Sequence, residues 1–234
     1  YVTTYHVLSR WRPSLSRLVG LLRVGTPMGF QFFVDVGMWA IFTAAIVGAF
    51  GTDQLAANNI AFRFIELSFM PAVGIGIALT AAVGKSIGRG RHDLARRTVR
   101  AALGLCVGYM GAVGLLMLLL RHEMIGWLSD DPEVIRWGGR ILICCAIFQV
   151  FDAMYIAFSH ALQGAGDTFW PMIIGTLYVV LIFLGGSIFA MYFFPQWGSV
   201  GPWAAATLYV VALGTTLALR YRFGPWASIQ LPEG

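Results

Sequence analysis

Charged residues are scarce in this sequence, and their scarcity excludes an ordinary soluble domain. Lysine, arginine, aspartate and glutamate make up 12% of the 234 residues, whereas 58% are hydrophobic, and the mean hydropathy is +0.74. Soluble domains are about 25% charged and about 45–50% apolar. The composition therefore predicts an all-α polytopic membrane protein, in which several apolar helices cross a bilayer.

Residues that build disulfide, metal or nucleophilic sites are also few. Cys106, Cys144 and Cys145 are odd in number and lie in apolar segments, which indicates packing rather than a disulfide framework. The four histidines lack metal-site spacing, and no Ser-His-Asp signature occurs. The Gly-Lys-Ser triplet at 84–86 resembles a phosphate-binding loop, but Leu79 stands where that loop needs glycine. We therefore predict no enzyme activity, no metal and no cofactor.

The basic residues do not form the basic and aromatic face of a nucleic-acid-binding domain. Although the net charge is +5, lysines and arginines flank the apolar runs, as the positive-inside rule describes. Alternate loops carry most of them, and the opposite loops carry only Arg121, Arg136 and Arg140. We predict that both ends of this segment are cytoplasmic. Because the chain starts at Tyr1 without an initiator methionine, we also expect a fragment.

Six apolar runs are long enough to span a membrane. Arginines and apolar residues alternate at helical spacing before the first run, which predicts an interfacial amphipathic linker over residues 1–24. A six-helix lobe over 25–222 and a cytoplasmic tail over 223–234 would follow. The predicted spans are about 25–50, 55–84, 99–120, 137–162, 172–194 and 201–219.

Two spans carry further helix signals. Pro71 lies inside the second span and predicts a bend, because proline removes a helical donor and clashes with the preceding turn. Glycines recur through the third span, and such a small-residue stripe predicts close helix packing. These glycines are Gly104, Gly108, Gly111 and Gly114.

Ionisable side chains inside spans are the strongest candidates for a functional site. A charge at the bilayer centre costs at least about 2.5 kcal/mol, so it persists where it meets a cavity, a partner or an ion. Arg63 and Glu66 lie three residues apart, and both an internal ion pair and a functional site remain open. No basic residue lies one turn from Asp35 or Asp152. We predict that these carboxylates face an aqueous cavity and bind a proton or another cation reversibly.

Polar and aromatic neighbours extend this candidate site. Gln31 precedes Asp35 by one turn, and Tyr155 follows Asp152 by nearly one turn. Aromatic side chains, among them Phe69 and Phe148, are candidates to line a site for apolar cations, with lipid contact as the alternative. The other polar and apolar candidates are Ser159, His160, Gln163, Phe30, Phe32, Phe33, Phe64, Phe151 and Met70.

Several stretches together resemble the multidrug and toxic compound extrusion (MATE) transporters. They are LRVGTP at 22–27, LAANNIAFRF at 55–64, SFMPAVGIGIALTAAVGKSIGRGR at 68–91 and ALQGAGDTFWPM at 161–172. The resemblance covers nearly the whole chain but only half of the family architecture, which has twelve helices in two lobes. It implies that the chain is the C-terminal lobe and that its first residues link the lobes.

The resemblance also implies a function and a site. The family exports organic cations and other amphipathic compounds from the cell, across its inner or plasma membrane, in exchange for protons or sodium by alternating access. Asp35 and Asp152 match two acidic positions of its C-lobe cation site, and Phe69 falls where some relatives have an aromatic site residue. Phe148 replaces a tyrosine often found there, which favours proton coupling slightly. The implied partners are the bilayer, a second lobe or a second copy, and small cationic substrates.

Two other functions remain open at this point. A flippase for lipid-linked or other bulky precursors would favour a larger and more cationic cavity. A structural or assembly subunit would use its buried charges only for internal pairing, so neutralising Asp35 or Asp152 would impair folding.

Overall fold

The computed structural model of the chain describes residues 15–224 and Trp226. Every regular element among these residues is helical, and none is a strand. The start of the predicted linker, with Arg10 and Arg12, and most of the predicted tail lie outside the described residues. Linker residues from Leu15 onward form the first turns of the first helix, and the division into linker, lobe and tail stays a prediction.

Six helical spans cross the bundle, which confirms the predicted fold class. The fifth span consists of α6 and α7 joined by a wide π-helical turn at Val179–Leu184, and a similar turn at Phe42–Val47 extends α1. The short α4 lies between the third and fourth spans. The helices are α1 Leu15–Ile41, α2 Thr52–Ile87, α3 His92–Leu119, α4 Arg121–Gly126, α5 Pro132–Gly164, α6 Phe169–Tyr178, α7 Gly185–Phe193 and α8 Val200–Phe223.

Helix α5 is the centre of the bundle. It packs against α2, α3 and α8, and it is the most buried of the six spans. Small residues let its backbone approach these neighbours closely. A Cβ atom at Gly164 would lie 2.6 Å from the Thr80 carbonyl oxygen, and one at Gly214 would lie 2.7 Å from the Phe151 carbonyl oxygen. These contacts fix the positions of α2 and α8 against α5.

The glycine stripe of α3 contributes less to packing than the sequence predicts. Gly114 approaches α5 closely, since a Cβ there would lie 2.8 Å from the Ala146 carbonyl oxygen. Gly111 has only an ordinary contact to Val150, and nothing lies within 4 Å of a Cβ at Gly104 or Gly108. The packing prediction therefore holds only at Gly114, the last glycine of the stripe, because the other glycines do not approach α5 closely.

The two π-helical turns meet at an aromatic cluster. Phe42 and Phe183, one from each turn, are almost fully buried and their ring centroids are 4.9 Å apart. Trp39 lies 4.7 Å from Phe183, and Trp203 of α8 lies 5.6 Å from Phe42. The Trp203 indole donates a 3.0 Å hydrogen bond to Asn58 Oδ1 of α2. The cluster joins four spans beside the cavity described below.

A buried ion pair closes one end of the bundle. Asp167 follows α5 and is 4% exposed, and its Oδ2 accepts a 3.0 Å hydrogen bond from Nε of Arg220 on α8. The Arg220 guanidinium also lies over the Trp170 ring, 5.2 Å from its centroid. This pair connects the loop between α5 and α6 to the end of α8. We call this the basic end, because the arginines of the α2–α3 loop lie at the same end of the helices.

We expect Asp167→Asn to lower the free energy of unfolding by about 3 kcal/mol, because the change leaves a largely buried guanidinium without its counter-charge. Thermal unfolding of detergent-purified protein, followed by fluorescence-detected size exclusion, measures this loss. The matched control is Glu133→Gln, which breaks the exposed 2.7 Å pair with Arg136 and should cost less than about 1 kcal/mol. Equal losses in the two variants would show that the Asp167 pair does not stabilise the fold.

Candidate cation and substrate site

A cavity of about 570 Å³ lies between α1, α2, α5 and α8. Most of its wall is apolar, and three acidic side chains also line it: Asp35 from α1, Glu66 from α2 and Asp152 from α5. The structure therefore brings together both carboxylates that the sequence singled out. Helix α5 packs against α2 and α8, and side-chain hydrogen bonds connect α1 to α8 and to α5 at this cavity.

Asp35 is partly buried and accepts a hydrogen bond from a tyrosine hydroxyl. Tyr209 of α8, which is 4% exposed, donates from its OH to Asp35 Oδ1 over 3.3 Å. Sequence reasoning missed Tyr209. The available signal was its position in the middle of an apolar span, because a buried tyrosine hydroxyl usually finds a hydrogen-bond partner.

Asp152 lies deeper in the wall and is 5% exposed. Among the side chains that the structure describes, neither Asp152 nor Asp35 has a basic group within 4.0 Å. Structural buried carboxylates are normally paired, since an isolated buried charge is costly. Two carboxylates that line one cavity without a basic partner can exchange protons or bind a cation.

Polar side chains continue from the carboxylates along the cavity. Gln31 Nε2 donates to the Tyr155 hydroxyl over 3.3 Å, which joins α1 to α5. One turn further along α5, Gln163 Nε2 donates to Ser159 Oγ over 3.3 Å. Residues 152, 155, 159 and 163 recur at helical spacing, so α5 presents a polar stripe that runs from Asp152 towards the basic end.

His160 completes this stripe and also fixes the contact between two helices. Its Nδ1 lies 3.1 Å from the Thr80 hydroxyl of α2, and its ring packs over Gly76, where any Cβ would overlap it. His160 lines the cavity. His160 therefore packs against α2 and also lines the cavity beside the polar stripe.

The aromatic candidates and Met70 divide into residues that line the cavity and residues that do not. Phe148 and Phe69 both line the cavity. Phe148 is 4% exposed and contacts Trp39 edge to face, with ring centroids 6.0 Å apart. Of the others, Phe32 and Met70 line the cavity, whereas Phe30, Phe33, Phe64 and Phe151 do not.

Arg63 and Glu66 form the predicted ion pair, but it is loose and open. Arg63 Nη1 and Glu66 Oε2 are 3.7 Å apart, and the two side chains are 78% and 58% exposed. Glu66 lines the main cavity, and both residues line an adjoining pocket. Pro71 lies further along α2, which is helical from Thr52 to Ile87, and the bend at Pro71 stays a prediction.

Six helices long and apolar enough to span a membrane, four of which line a cavity that holds Asp35 and Asp152, define this chain as part of a multi-pass membrane protein. The family model MatE matches residues 27–188, which is more than half of the chain. The chain therefore belongs to the MatE family, and the resemblance found in its sequence is confirmed.

Named relatives agree with this assignment. The chain is 31% identical over 227 residues to the probable multidrug resistance protein NorM of Brucella suis, covering 93% of this chain and 47% of that protein. It is 32% identical over 168 residues to the multidrug resistance protein PmpM of Pseudomonas aeruginosa, covering 71% of this chain and 35% of that protein. The chain thus spans about half the length of the NorM relative.

A solved structure shows the same fold. The Vibrio cholerae MATE transporter VcmN in its bent form superposes with a TM-score of 0.83 at 17% identity, covering 95% of this chain and 51% of that chain. The six-helix unit is therefore the fold of about half of such a transporter.

Proposed function

We propose that the complete protein is a secondary active exporter of amphipathic organic cations, driven by antiport of protons or sodium. The observation that carries this proposal is the pair of carboxylates, Asp35 and Asp152, which line one cavity without a basic partner among the described side chains. The names of the relatives, which are multidrug resistance proteins, support the substrate class.

The cavity offers both parts of a cation exchange site. Ionised carboxylates attract a positively charged substrate, and an aromatic wall that includes Phe69 and Phe148 accepts its apolar body. A proton or sodium ion on the same carboxylates neutralises that attraction. Substrate and coupling ion would therefore compete for Asp35 and Asp152, and competition for one site is the simplest basis for antiport.

Coupling also requires two conformations that bind these ligands differently. Tyr209 connects Asp35 to α8, and Gln31 connects α1 to Tyr155 of α5. A change of charge at the carboxylates would therefore reach three helices directly. We propose that α1 shifts against α5 and α8 as the site exchanges its ligand, with Pro71 allowing α2 to bend.

A second six-helix lobe would complete the transport pathway. The chain spans 47% of NorM and 51% of VcmN, and family transport places the cavity between two units. We propose that another lobe, from the same chain or from a second copy, covers the open side of this cavity. The arginines at the basic end favour an orientation in the inner membrane that places this end in the cytoplasm.

The alternatives receive less support from the cavity. A flippase for lipid-linked or other bulky precursors would favour a larger and more cationic cavity. The described lining of the 570 Å³ cavity includes three carboxylates and no lysine or arginine, and Arg63 lines only the adjoining pocket. A purely structural subunit would pair its buried charges, whereas Asp35 and Asp152 have no basic partner in the described part of the chain.

The test uses the complete protein as its gene encodes it, reconstituted in proteoliposomes. Efflux of a fluorescent organic cation such as rhodamine 6G is followed under an imposed proton gradient, an imposed sodium gradient, or neither. We expect one gradient to drive transport at several times the rate seen without a gradient, and protein-free liposomes control for dye leakage. Transport that responds to neither gradient would contradict the antiport proposal and favour the flippase.

A further inference from the structure

Two arginines of α3 belong neither to an ion pair nor to the cavity. Arg96 and Arg100 lie one helical turn apart in the first turns of α3, and both are exposed. In the part of the chain that the structure describes, no carboxylate lies within 4.0 Å of either guanidinium. The described lining of the main cavity includes no residue of α3. The positive-inside rule accounts for basic residues at this end, but it does not require them to converge on one place.

The two guanidinium groups converge on an aromatic pair at the end of α8. The Arg96 guanidinium lies over the Trp226 ring, 6.0 Å from its centroid, and Trp226 stacks on Tyr221 with ring centroids 4.8 Å apart. The charges of Arg96 and Arg100 both act on the Tyr221 hydroxyl. This hydroxyl is buried and has no hydrogen-bond partner among the described residues, which is costly. An anion held by the flexible arginine side chains would offer it an acceptor.

The face of α3 that carries these arginines stays open towards the middle of the bilayer. Residues four positions apart follow one another along this face, and they are Arg96, Arg100, Gly104 and Gly108. Both glycines are exposed, and nothing lies within 4 Å of a Cβ atom placed on either. The helix advances about 12 Å from Arg100 to Gly108. We call this face the α3 groove, because it begins at two positive charges and continues without side chains at the depth of lipid acyl chains.

The two parts of the groove together select the chemistry of its ligand. A small anion would use the arginines but not the glycines, and a plain hydrocarbon chain would use the glycines but not the arginines. A phospholipid uses both, because its phosphate lies at the membrane interface, where Trp and Tyr side chains are typical, and its acyl chains lie directly beneath. Guanidinium groups bind phosphate through paired hydrogen bonds, and basic clusters at the cytoplasmic ends of membrane helices attract anionic lipids.

We propose that the α3 groove is a binding site for an anionic phospholipid. Arg96 and Arg100 bind its phosphate. One acyl chain lies along Gly104 and Gly108, which explains why these glycines are present where no helix packs on them. Because α3 is absent from the described cavity lining, lipid and substrate occupy separate sites, and the inference does not depend on the proposed export function.

Two lipids with the same acyl chains test the site. The complete protein is purified in detergent and titrated with dioleoylphosphatidylglycerol or dioleoylphosphatidylcholine, and native mass spectrometry measures the lipid-bound fraction. We expect wild type to prefer phosphatidylglycerol, and we expect Arg96→Gln/Arg100→Gln to weaken its binding at least about tenfold. The matched control is Arg89→Gln/Arg91→Gln, which removes the same charge from exposed residues of the α2–α3 loop and should leave the binding nearly unchanged.

A second variant tests the acyl-chain part of the groove. Gly104→Leu/Gly108→Leu adds side chains where nothing lies within 4 Å of the added Cβ atoms, so the protein should stay folded and monodisperse. Phosphatidylglycerol binding should fall several-fold, because the side chains occupy the place of the lipid chain. Glycerophosphoglycerol, the same head group without acyl chains, should not compete with the lipid even at millimolar concentration.

Several outcomes would overturn the site. Equal losses in the two arginine variants would show a general charge effect, and equal binding of the two lipids would show no selection for an anionic head group. Unchanged phosphatidylglycerol binding in folded Gly104→Leu/Gly108→Leu would exclude a chain in the groove. Competition by glycerophosphoglycerol would identify a site for free phosphate esters instead of a lipid.

Discussion

Asp152→Asn is expected to abolish gradient-driven export, with a loss of at least tenfold at equal amounts of folded protein. The carboxylate is 5% exposed, lines the cavity and has no basic partner among the described side chains. Asparagine keeps its size but cannot bind a proton or attract a cation by charge. The measurement is rhodamine 6G efflux from proteoliposomes under the gradient that drives the wild-type protein.

The matched control is Asp53→Asn, which makes the same chemical change at an exposed aspartate in the first turn of α2. This variant should transport like wild type. If Asp152→Asn also transports normally under the driving gradient, Asp152 is structural and the coupling site lies elsewhere. If the variant loses folding rather than coupling, its monodisperse yield falls, and the structural-subunit alternative gains support.

The second large effect is expected from packing rather than from charge. Gly164→Leu places side-chain atoms where α2 and α5 touch, because even a Cβ there would lie 2.6 Å from the Thr80 carbonyl oxygen and 3.1 Å from Val83 Cβ. Backbone cannot move aside as a side chain can, and overpacked cores lose about 1–3 kcal/mol, occasionally more. We expect the yield of folded protein to fall at least fivefold.

Gly74→Leu is the control, because it makes the same substitution on α2 where nothing lies within 4 Å of the added Cβ. Its yield and melting temperature in detergent should match wild type within a few degrees. If Gly164→Leu melts like Gly74→Leu, the close approach of α2 and α5 at Gly164 is not a requirement of the fold.

Long apolar runs made the six spans predictable from the sequence, because a bilayer admits only helices that are apolar over about twenty residues. The central position of α5 was not predictable in the same way. Its apolar residues cover all faces, so periodicity does not distinguish contact with other helices from contact with lipid. The glycine stripe of α3 predicted close packing correctly only at Gly114, since spacing identifies a face of a helix but not the element that packs against it.

The two carboxylates at the centre of the candidate site could be found from the sequence, because charges inside a span are costly and rare. The residues that hold them could be found only in part. Gln31 and Tyr155 were identified as neighbours within their own helices, but their 3.3 Å contact joins distant parts of the chain. Tyr209 was missed because its partner, Asp35, lies 174 residues earlier, and one sequence does not show such pairs.

The wide turn at Phe42–Val47 has a consequence for the helical phase of α1. A π-helical turn accommodates one residue more than an α-helical turn, and this one joins α1 to a short 3-10 turn at Gly48–Phe50. In a regular α-helix one additional residue would rotate the following part by about 100°, and Asp35 and the buried Ile46 could not both keep their present neighbours. A single-residue deletion inside this turn should therefore be absorbed by a return to α-helical geometry, whereas the same deletion in the middle of the regular helix α5 would put Asp152 out of phase with one half of its helix.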